Sequence, residues 1–377
     1  MPKVFTGKPQ LNREVNRRLI LDRIRRNGEV SRAELAKLTH IRPPTVSAVV
    51  KELLTEGLVE ETGAGAPSGG RAPRMVALRR EHPRALGFEV SETEILAGLA
   101  DLAGDLRSKH RVRFAPAAPQ ETVDRMKEIG DQLLGDHNLN WTDIQGVGVA
   151  VPGHLNTSEG VVRWSQPFGW KNVPLRDLCM KTWEAPTDIV NDSMAGGMAA
   201  HFLGPAREVR NFVYFYLRFL DASHGVVGLG SGLIINGEPY HGEFGAAGEI
   251  TTPVGHPLLY AREIDGDVYA DVAEFIDAFR SGKHSAQVAL ERATQEFGVL
   301  ALHAINLLEP GMIVIGCDVD DLQGAVLAGV QHIVEQHRLS HGPGRTQIVG
   351  STLGEFSVVR GAVVPTLQRV FRMPRWT

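Results

Sequence analysis

An apolar stripe opens the chain. Leu11, Val15 and Leu19 recur every four residues, with Ile20 and Ile24 beside them. That spacing predicts a helix of about three to four turns, stopped by Asn27-Gly28. Ser31-Arg32-Ala33-Glu34 has the form of a capping box, in which Ser31 takes the Glu34 N–H. Leu35 and Leu38 give the short helix behind it a buried side. In the turn Thr39-His40-Ile41, His40 stands where a left-handed backbone is needed. Pro43 and Pro44 suit the first turn of a third helix. Its stripe is Val46, Val49, Val50, Leu53 and Leu54, and Gly57 closes it. Helix, tight turn and helix at this spacing form a helix-turn-helix, with the third helix as reader. Arg42, Pro44, Thr45, Ser47 and Lys51 lie off that stripe and are the expected DNA contacts. Arg42 suits bidentate pairing with guanine, and Thr45 and Ser47 suit phosphates or bases.

Two β-prone runs follow, Leu58-Val59 and 75–78, around a segment rich in Gly, Pro and Arg. A hairpin with such a tip is a wing, and Arg71 and Arg74 on it suit a minor groove. The bland alternative is a linker with incidental arginines. Beyond residue 84 the period changes. Strands are expected at 85–90, 95–100, 146–151, 187–190, 212–219, 232–235, 312–316 and 346–350, with another ending near 114. Helices are expected at 121–134, 193–202, 269–280, 286–308 and 322–335, with a last one ending near Phe371. This alternation predicts an α/β body of two sheets with helices on their faces. The body begins twice with a Gly-punctuated meander, at 85–114 and 211–235. Two similar lobes with a ligand cleft between them follow from that. The expected division is a head of 1–80 and a body of 81–377, with lobes of about 81–205 and 206–377.

Charge sharpens the division. Residues 1–84 hold 17 Lys and Arg against 9 Asp and Glu, a net of +8, whereas the remaining residues carry a net of −12. A basic head on an acidic body points to a polyanion partner; a merely soluble basic domain is the alternative. No window of eighteen apolar residues exists, which argues against a membrane span, and the short polar N-terminus argues against a secretory leader. Two cysteines, Cys179 and Cys317, exclude a disulfide framework and fit a cytoplasmic location.

The order of motifs is specific. It runs from Ser31-Arg32-Ala33-Glu34-Leu35-Ala36 and Gly69-Gly70-Arg71-Ala72-Pro73 to Gly146-Val147-Gly148-Val149-Ala150-Val151-Pro152-Gly153. Then come Phe168-Gly169-Trp170, Asn191-Asp192, Gly228-Leu229-Gly230-Ser231-Gly232, Gly245-Ala246-Ala247-Gly248-Glu249 and Leu308-Glu309-Pro310-Gly311. In this order they resemble the ROK family (repressors, open reading frames and kinases), in its transcriptional repressor branch, over nearly the whole chain. The resemblance implies a winged helix-turn-helix followed by an actin-like, ribonuclease-H-like body of two lobes. It also implies a sugar or sugar derivative in the cleft, and homodimers or homotetramers on operator DNA. Asn191 and Asp192 follow a strand end, where a carboxylate can accept two sugar hydroxyls and an amide can donate and accept. The alternative is capping of the next helix. In the family's kinases the matching Asp is the general base. Glu249 in its Gly-rich turn is a further candidate for hydroxyls, and His256 a candidate replacement for the family's sugar-contacting His; surface roles are the alternatives for both.

Departures from the family pattern bear on chemistry. The kinases carry an Asp-x-Gly-Gly-Thr loop against ATP phosphates, and here Glu89-Val90-Ser91-Glu92-Thr93 stands in its place. Lost glycines and an added carboxylate argue against ATP. The glycines at 228–232 remain, read as a turn. The family's zinc site needs Gly-His after Glu249 and then a cysteine cluster; Ile250-Thr251-Thr252 stands there instead, and no cysteine lies between Cys179 and Cys317. The usual Asn before Gly169-Trp170 is also replaced. The expectation is therefore a DNA-binding transcription regulator, a repressor of carbohydrate-related genes, with no cofactor, no enzymatic activity and a sugar-like effector. The alternatives are a sugar kinase with Asp192 as base, and an effector-independent DNA-binding dimer.

Overall fold

The computed structural model describes residues 9–64, 72–80, 85–219, 225–250, 254–337 and 345–371. The apolar stripes become α1 (Pro9–Asn27), α2 (Arg32–Thr39) and α3 (Pro43–Thr55). Gly28 ends α1 with φ 72°. Ser31 Oγ accepts from the Glu34 N–H at 3.2 Å, and His40 closes α2 in the left-handed region at φ 56°. Val46, Val49, Val50 and Leu53 bury against Ile20, Leu21, Ile24 and Leu35. The strand β1 (Val30–Ser31) is too short to show a period. It pairs with β3 (Arg74–Leu78), whose other edge takes β2 (Val59–Ala64) to complete the wing. The wing tip, with Arg71, lies outside the described residues.

The body uses one strand plan twice. In the first lobe β4 (Ala85–Val90), β5 (Glu94–Ala100) and β6 (Leu106–Arg113) form an antiparallel meander. β7 (Gly146–Val151) and β11 (Thr187–Asn191) extend it in parallel, giving the order β11-β7-β4-β5-β6. Between them lie α4 (Pro119–Gly135), a small sheet of β8 (His154–Asn156), β9 (Val161–Ser165) and β10 (Trp170–Val173), and α5 (Leu175–Trp183). The helix α6 (Asp192–Phe202) follows β11. In the second lobe β12 (Phe212–Arg218), β13 (Val226–Ile235) and β14 (Glu238–Pro239) are antiparallel, with β15 (Val254–Gly255) also on β13. Helices α7 (Pro257–Asp265), α8 (Val272–Arg280) and α9 (His284–Leu308) precede β16 (Met312–Cys317). Then come α10 (Asp320–His337) and β17 (Gln347–Gly350), and the order is β14-β13-β12-β16-β17. The final helices α11 (Ser357–Ala362) and α12 (Val364–Phe371) return to lie on α6 and the first sheet.

The glycines at 228–232 do not form a turn. Gly228, Gly230 and Gly232 stand within β13, opposite Arg218, Tyr216 and Tyr214. Period two leaves one face of the strand bare, and the first turn of α6 lies on it. A Cβ at Gly230 would stand 1.9 Å from Ser193 Oγ, and one at Gly232 2.6 Å from the Ser193 carbonyl oxygen. The small sheet carries no clear period and buries Trp170 through tertiary packing; α5 and α7, which sequence reasoning missed, are amphipathic and bury Leu175, Cys179 and Trp183 and Pro257, Tyr260 and Ala261 at helical spacing. Head and body share one apolar core, which runs from Ile20 and Leu21 through Phe202 to Phe371. Among the described residues no helix is long and apolar enough to cross a membrane.

Candidate DNA-reading surface and ligand cleft

The third helix presents Arg42, Pro44, Ser47 and Lys51 to solvent and half-exposes Thr45. Among the described residues, the Arg42 and Lys51 side chains have no ion-pair partner. The arginines of α1 behave differently. Arg13 pairs with Glu52 at 2.5 Å, Arg17 pairs with Glu56, and Arg25 and Arg26 pair with Asp22 at 2.9 and 2.8 Å. They fasten α1 to α3 and to itself instead of forming a free basic face. Arg74 is exposed but reaches Glu61 at 2.6 Å, and Arg32 reaches the same carboxylate at 2.8 Å. Hydrogen bonds from Arg32 and Arg74 hold the Glu61 carboxyl below its usual range. The wing root is thus internally neutralised, while the exposed Arg42 and Lys51 of α3 keep their charge.

A cleft of about 750 Å³ lies between the lobes. Gly153, His154, Trp164, Gln166, Asn191 and Asp192 line one side, and Arg218, Ser231, Gly248 and Glu249 the other. Asn191 caps α6: its Oδ1 accepts from the Met194 N–H at 3.0 Å, and its Nδ2 donates to the Gly153 carbonyl at 3.1 Å. Asp192 is 3% exposed. Its Oδ1 accepts from the Ser193 N–H at 2.6 Å and the Ser193 hydroxyl at 3.1 Å. Its other oxygen is ion-paired with Arg218, at the end of β12. Glu249 is exposed on the rim, after Gly248 at φ 92°, whose carbonyl accepts from Ser231 Oγ at 2.7 Å. His154 spans the cleft to the Phe244 carbonyl at 2.6 Å.

Asn191, Asp192 and Glu249 therefore meet as the sequence suggests, but His256 does not join them. It is fully buried as the N-cap of α7. Its Nδ1 accepts from the Leu258 N–H at 3.2 Å, so Nε2 carries the proton and donates to the Phe219 carbonyl at 2.9 Å. Both ring nitrogens serve the backbone, which corrects the reading of His256 as a sugar contact. Sequence reasoning missed Arg218, Trp164, Gln166 and His154. Arg218 had a signal: it is a lone cation ending the apolar run 212–217. Trp164 is 43% exposed on the cleft wall, with Lys171 Nζ 4.8 Å from its ring centroid.

Beside the cleft lies a smaller pocket of about 70 Å³, lined by Glu89, Glu92, Glu94, Asp318 and Glu355 with Arg111 and Arg218. This is where the ATP loop would stand, and its residues do not fit a nucleotide. The Ser91 side chain accepts from the Glu94 N–H at 3.2 Å and donates to the Glu94 carbonyl at 3.1 Å, so the turn satisfies itself. Carboxylates face the space that phosphates would need. Glu89 is buried, takes a long hydrogen bond from Tyr216 at 3.4 Å and leaves Oε2 without a hydrogen-bond partner among the described residues. Burial pushes its carboxyl up to about 8, against the pull of Arg218.

Comparison with known proteins agrees with this geometry. A sequence model of the ROK family matches residues 85–267 and 259–368, and one of the MarR family matches residues 13–72. A xylose repressor from Caldicellulosiruptor bescii is 22% identical, with 98% of this chain and 100% of the relative covered. The crystal structure of a ROK family transcriptional regulator, a homolog of the E. coli MLC protein, superposes with a TM-score of 0.75 at 18% identity. It covers 96% of this chain and 97% of that one. A ROK family glucokinase from Streptomyces griseus, in complex with glucose and AMPPNP, gives a TM-score of 0.64 at 20% identity, over 74% and 97% of the two chains. The kinase match shows the shared fold of the body alone.

Proposed function

The chain belongs to the ROK family, and from that premise we propose that it is a DNA-binding transcription regulator, a repressor, whose body senses a sugar and transfers no phosphate. The single observation that carries this reading is the exposed surface of α3, where Arg42 at the N-cap and Lys51 in the helix have no ion-pair partner among the described residues. In the proposed mechanism, a homodimer or homotetramer sets two such helices in successive major grooves of double-stranded DNA. Arg42, Pro44, Thr45, Ser47 and Lys51 meet the duplex. Arg71 and Arg74 attend the minor groove, Arg74 after exchanging Glu61 for phosphate. Contacts to phosphates make the affinity fall with salt.

A sugar-like effector is proposed to enter the cleft against Asn191, Asp192 and Glu249. Trp164 offers its ring to an apolar sugar face and Gln166 its amide to a hydroxyl. Asp192 cannot act as a free base while Arg218 holds it. The named relative puts pentoses first among the sugars to test. Fluorescence anisotropy on the DNA upstream of the protein's own gene, across a salt series, tests the reading. A linear fall of log affinity with log salt is expected, together with a change of affinity under D-xylose or a related aldose. Affinity independent of salt and sequence sinks it. One observation favours a second reading, an effector-independent DNA-binding dimer: Asn191 and Asp192 are already satisfied by protein partners. Under that reading no sugar raises the melting temperature.

A further inference from the structure

One helix joins the two functional ends of the molecule. The first turn of α6 carries Asp192 on the cleft floor, paired with Arg218 of the second lobe. Its last residue, Phe202, lies about 15 Å away along the α-helix. There it meets the head. Arg25 of α1, with only 9% of its side chain exposed, donates from Nη1 to the Phe202 carbonyl at 3.1 Å. Its guanidinium lies 3.9 Å from the Phe202 ring centroid and 5.5 Å from that of Phe371. Asp22 of the same helix holds the fork at 2.9 and 3.2 Å. Burial lowers the Arg25 pKa, an effect that Asp22 opposes.

Between its ends α6 has no room to bend or roll. A Cβ at Gly196 would stand 2.2 Å from the Tyr214 ring, and one at Gly361 of α11 would stand 1.8 Å from the Ala195 carbonyl oxygen. A helix packed this closely on both flanks moves as a rod or not at all. Beside the apolar core that head and body share, the seam around Arg25 opens into a polar cavity of about 670 Å³, lined by the pairs Arg26–Glu208 at 3.5 Å and Arg80–Asp105 at 3.2 Å. Exposed pairs of that kind hold weakly. A planar guanidinium seated between two rings and on a helix-end carbonyl is the directional contact in the seam.

The geometry points to Arg25 as the positioning residue of the DNA-binding head, and to α6 as the rod through which the Asp192–Arg218 end sets the head's orientation. Arg25 needs no contact with DNA or sugar in this role; it acts through Phe202. The inference gives the proposed regulation a route and rests on that reading for its purpose, but its test uses neither DNA nor sugar.

Spin labels are placed on the full-length protein at Thr55→Cys in α3 and Gln132→Cys in α4, both exposed. Native Cys179 and Cys317 are buried with raised pKa values and stay unlabelled. Pulsed electron resonance then reads the head–body distance. One narrow distance is expected for the parent. Arg25→Ala broadens it, Arg25→Lys broadens it less, and Asp192→Asn shifts it by several ångströms although the head is untouched. Glu296→Gln removes a carboxylate contact in the second lobe, away from α6, and leaves the distance unchanged. A parental distance in both Arg25 variants overturns the clamp. A parental distance in Asp192→Asn overturns the rod, and an equal shift in Glu296→Gln means general loosening and overturns both. Should Arg25→Ala fail to fold, Arg25→Lys decides. If the parent does not bind DNA while the variants change the distance as stated, the proposed function fails and this inference stands.

Discussion

The exposed surface of α3 and the floor of the cleft treat charge in opposite ways. On α3, Arg42 and Lys51 are left in solvent without ion-pair partners among the described residues. In the cleft, Asp192 is buried and its carboxylate is held by Arg218 and Ser193. An unpaired surface cation keeps its field for a polyanion and loses little by staying hydrated. A buried carboxylate whose oxygens are taken by a guanidinium, an amide and a hydroxyl has no free oxygen to serve as a base. The same sequence thus keeps one region available for a partner and closes another to chemistry. The Ser91 turn repeats the second pattern, with its own side chain occupying the amides that a phosphate would need.

Five variants break or sharpen that contrast, in falling order of effect. Gly232→Ala puts a Cβ 2.6 Å from the Ser193 carbonyl oxygen and 3.0 Å from Met194 Cα, both backbone atoms that cannot swing away. It should cost about 3 kcal/mol, seen as a lower melting temperature. An unchanged melting temperature means that α6 is free to lift off β13, and the closed cleft floor goes with it.

Glu89→Gln tests the buried end of the contrast. With its folded pKa raised to about 8, Glu89 contributes stability in its neutral form. That contribution is complete below its unfolded pKa of about 4.3 and lost as pH rises through 8. Chemical denaturation from pH 6 to 8 should show the parent weakening toward pH 8 and the variant holding flat. The gap should reach roughly 2–3 kcal/mol. Parallel curves show that the carboxyl is not the titrating group.

Arg42→Ala should weaken specific DNA binding by about 1–3 kcal/mol and reduce discrimination at one base pair. Lys51→Ala should weaken all sequences alike and reduce the salt slope by about one ion. Equal losses on specific and random DNA for Arg42→Ala limit that residue to phosphate contact. The smallest effect is expected from Ser31→Ala, which removes the α2 cap for about 1 kcal/mol. It should appear in the melting of the head before it appears in DNA affinity.

The head was the more legible region, because its rules are local. The Ser31 cap spans three residues, His40 needs only its own backbone, and the stripe of α3 repeats every three or four positions. The doubled strand plan of the body was visible as two Gly-punctuated starts. Asn191, Asp192 and Glu249 could be placed at one cleft from their positions after a strand and within a glycine turn. The glycines at 228–232 were misread because glycine marks turns in most settings, whereas here period two makes a bare face for α6. The use of His256 as a helix cap was equally hidden, since its Nε2 partner, the Phe219 carbonyl, is 37 residues away.

By itself the amino-acid sequence determined the winged head, the two-lobed α/β body, the uneven charge and the departure from the ATP loop. Each is written in spacing, composition or a short motif. The tertiary structure alone decided which charges are paired. Arg218 meets Asp192, Arg25 meets Phe202 177 residues away, and the α1 arginines meet glutamates of α3. Such partners are chosen by how distant elements pack, and side-chain charge by itself carries no record of the neighbour it will find.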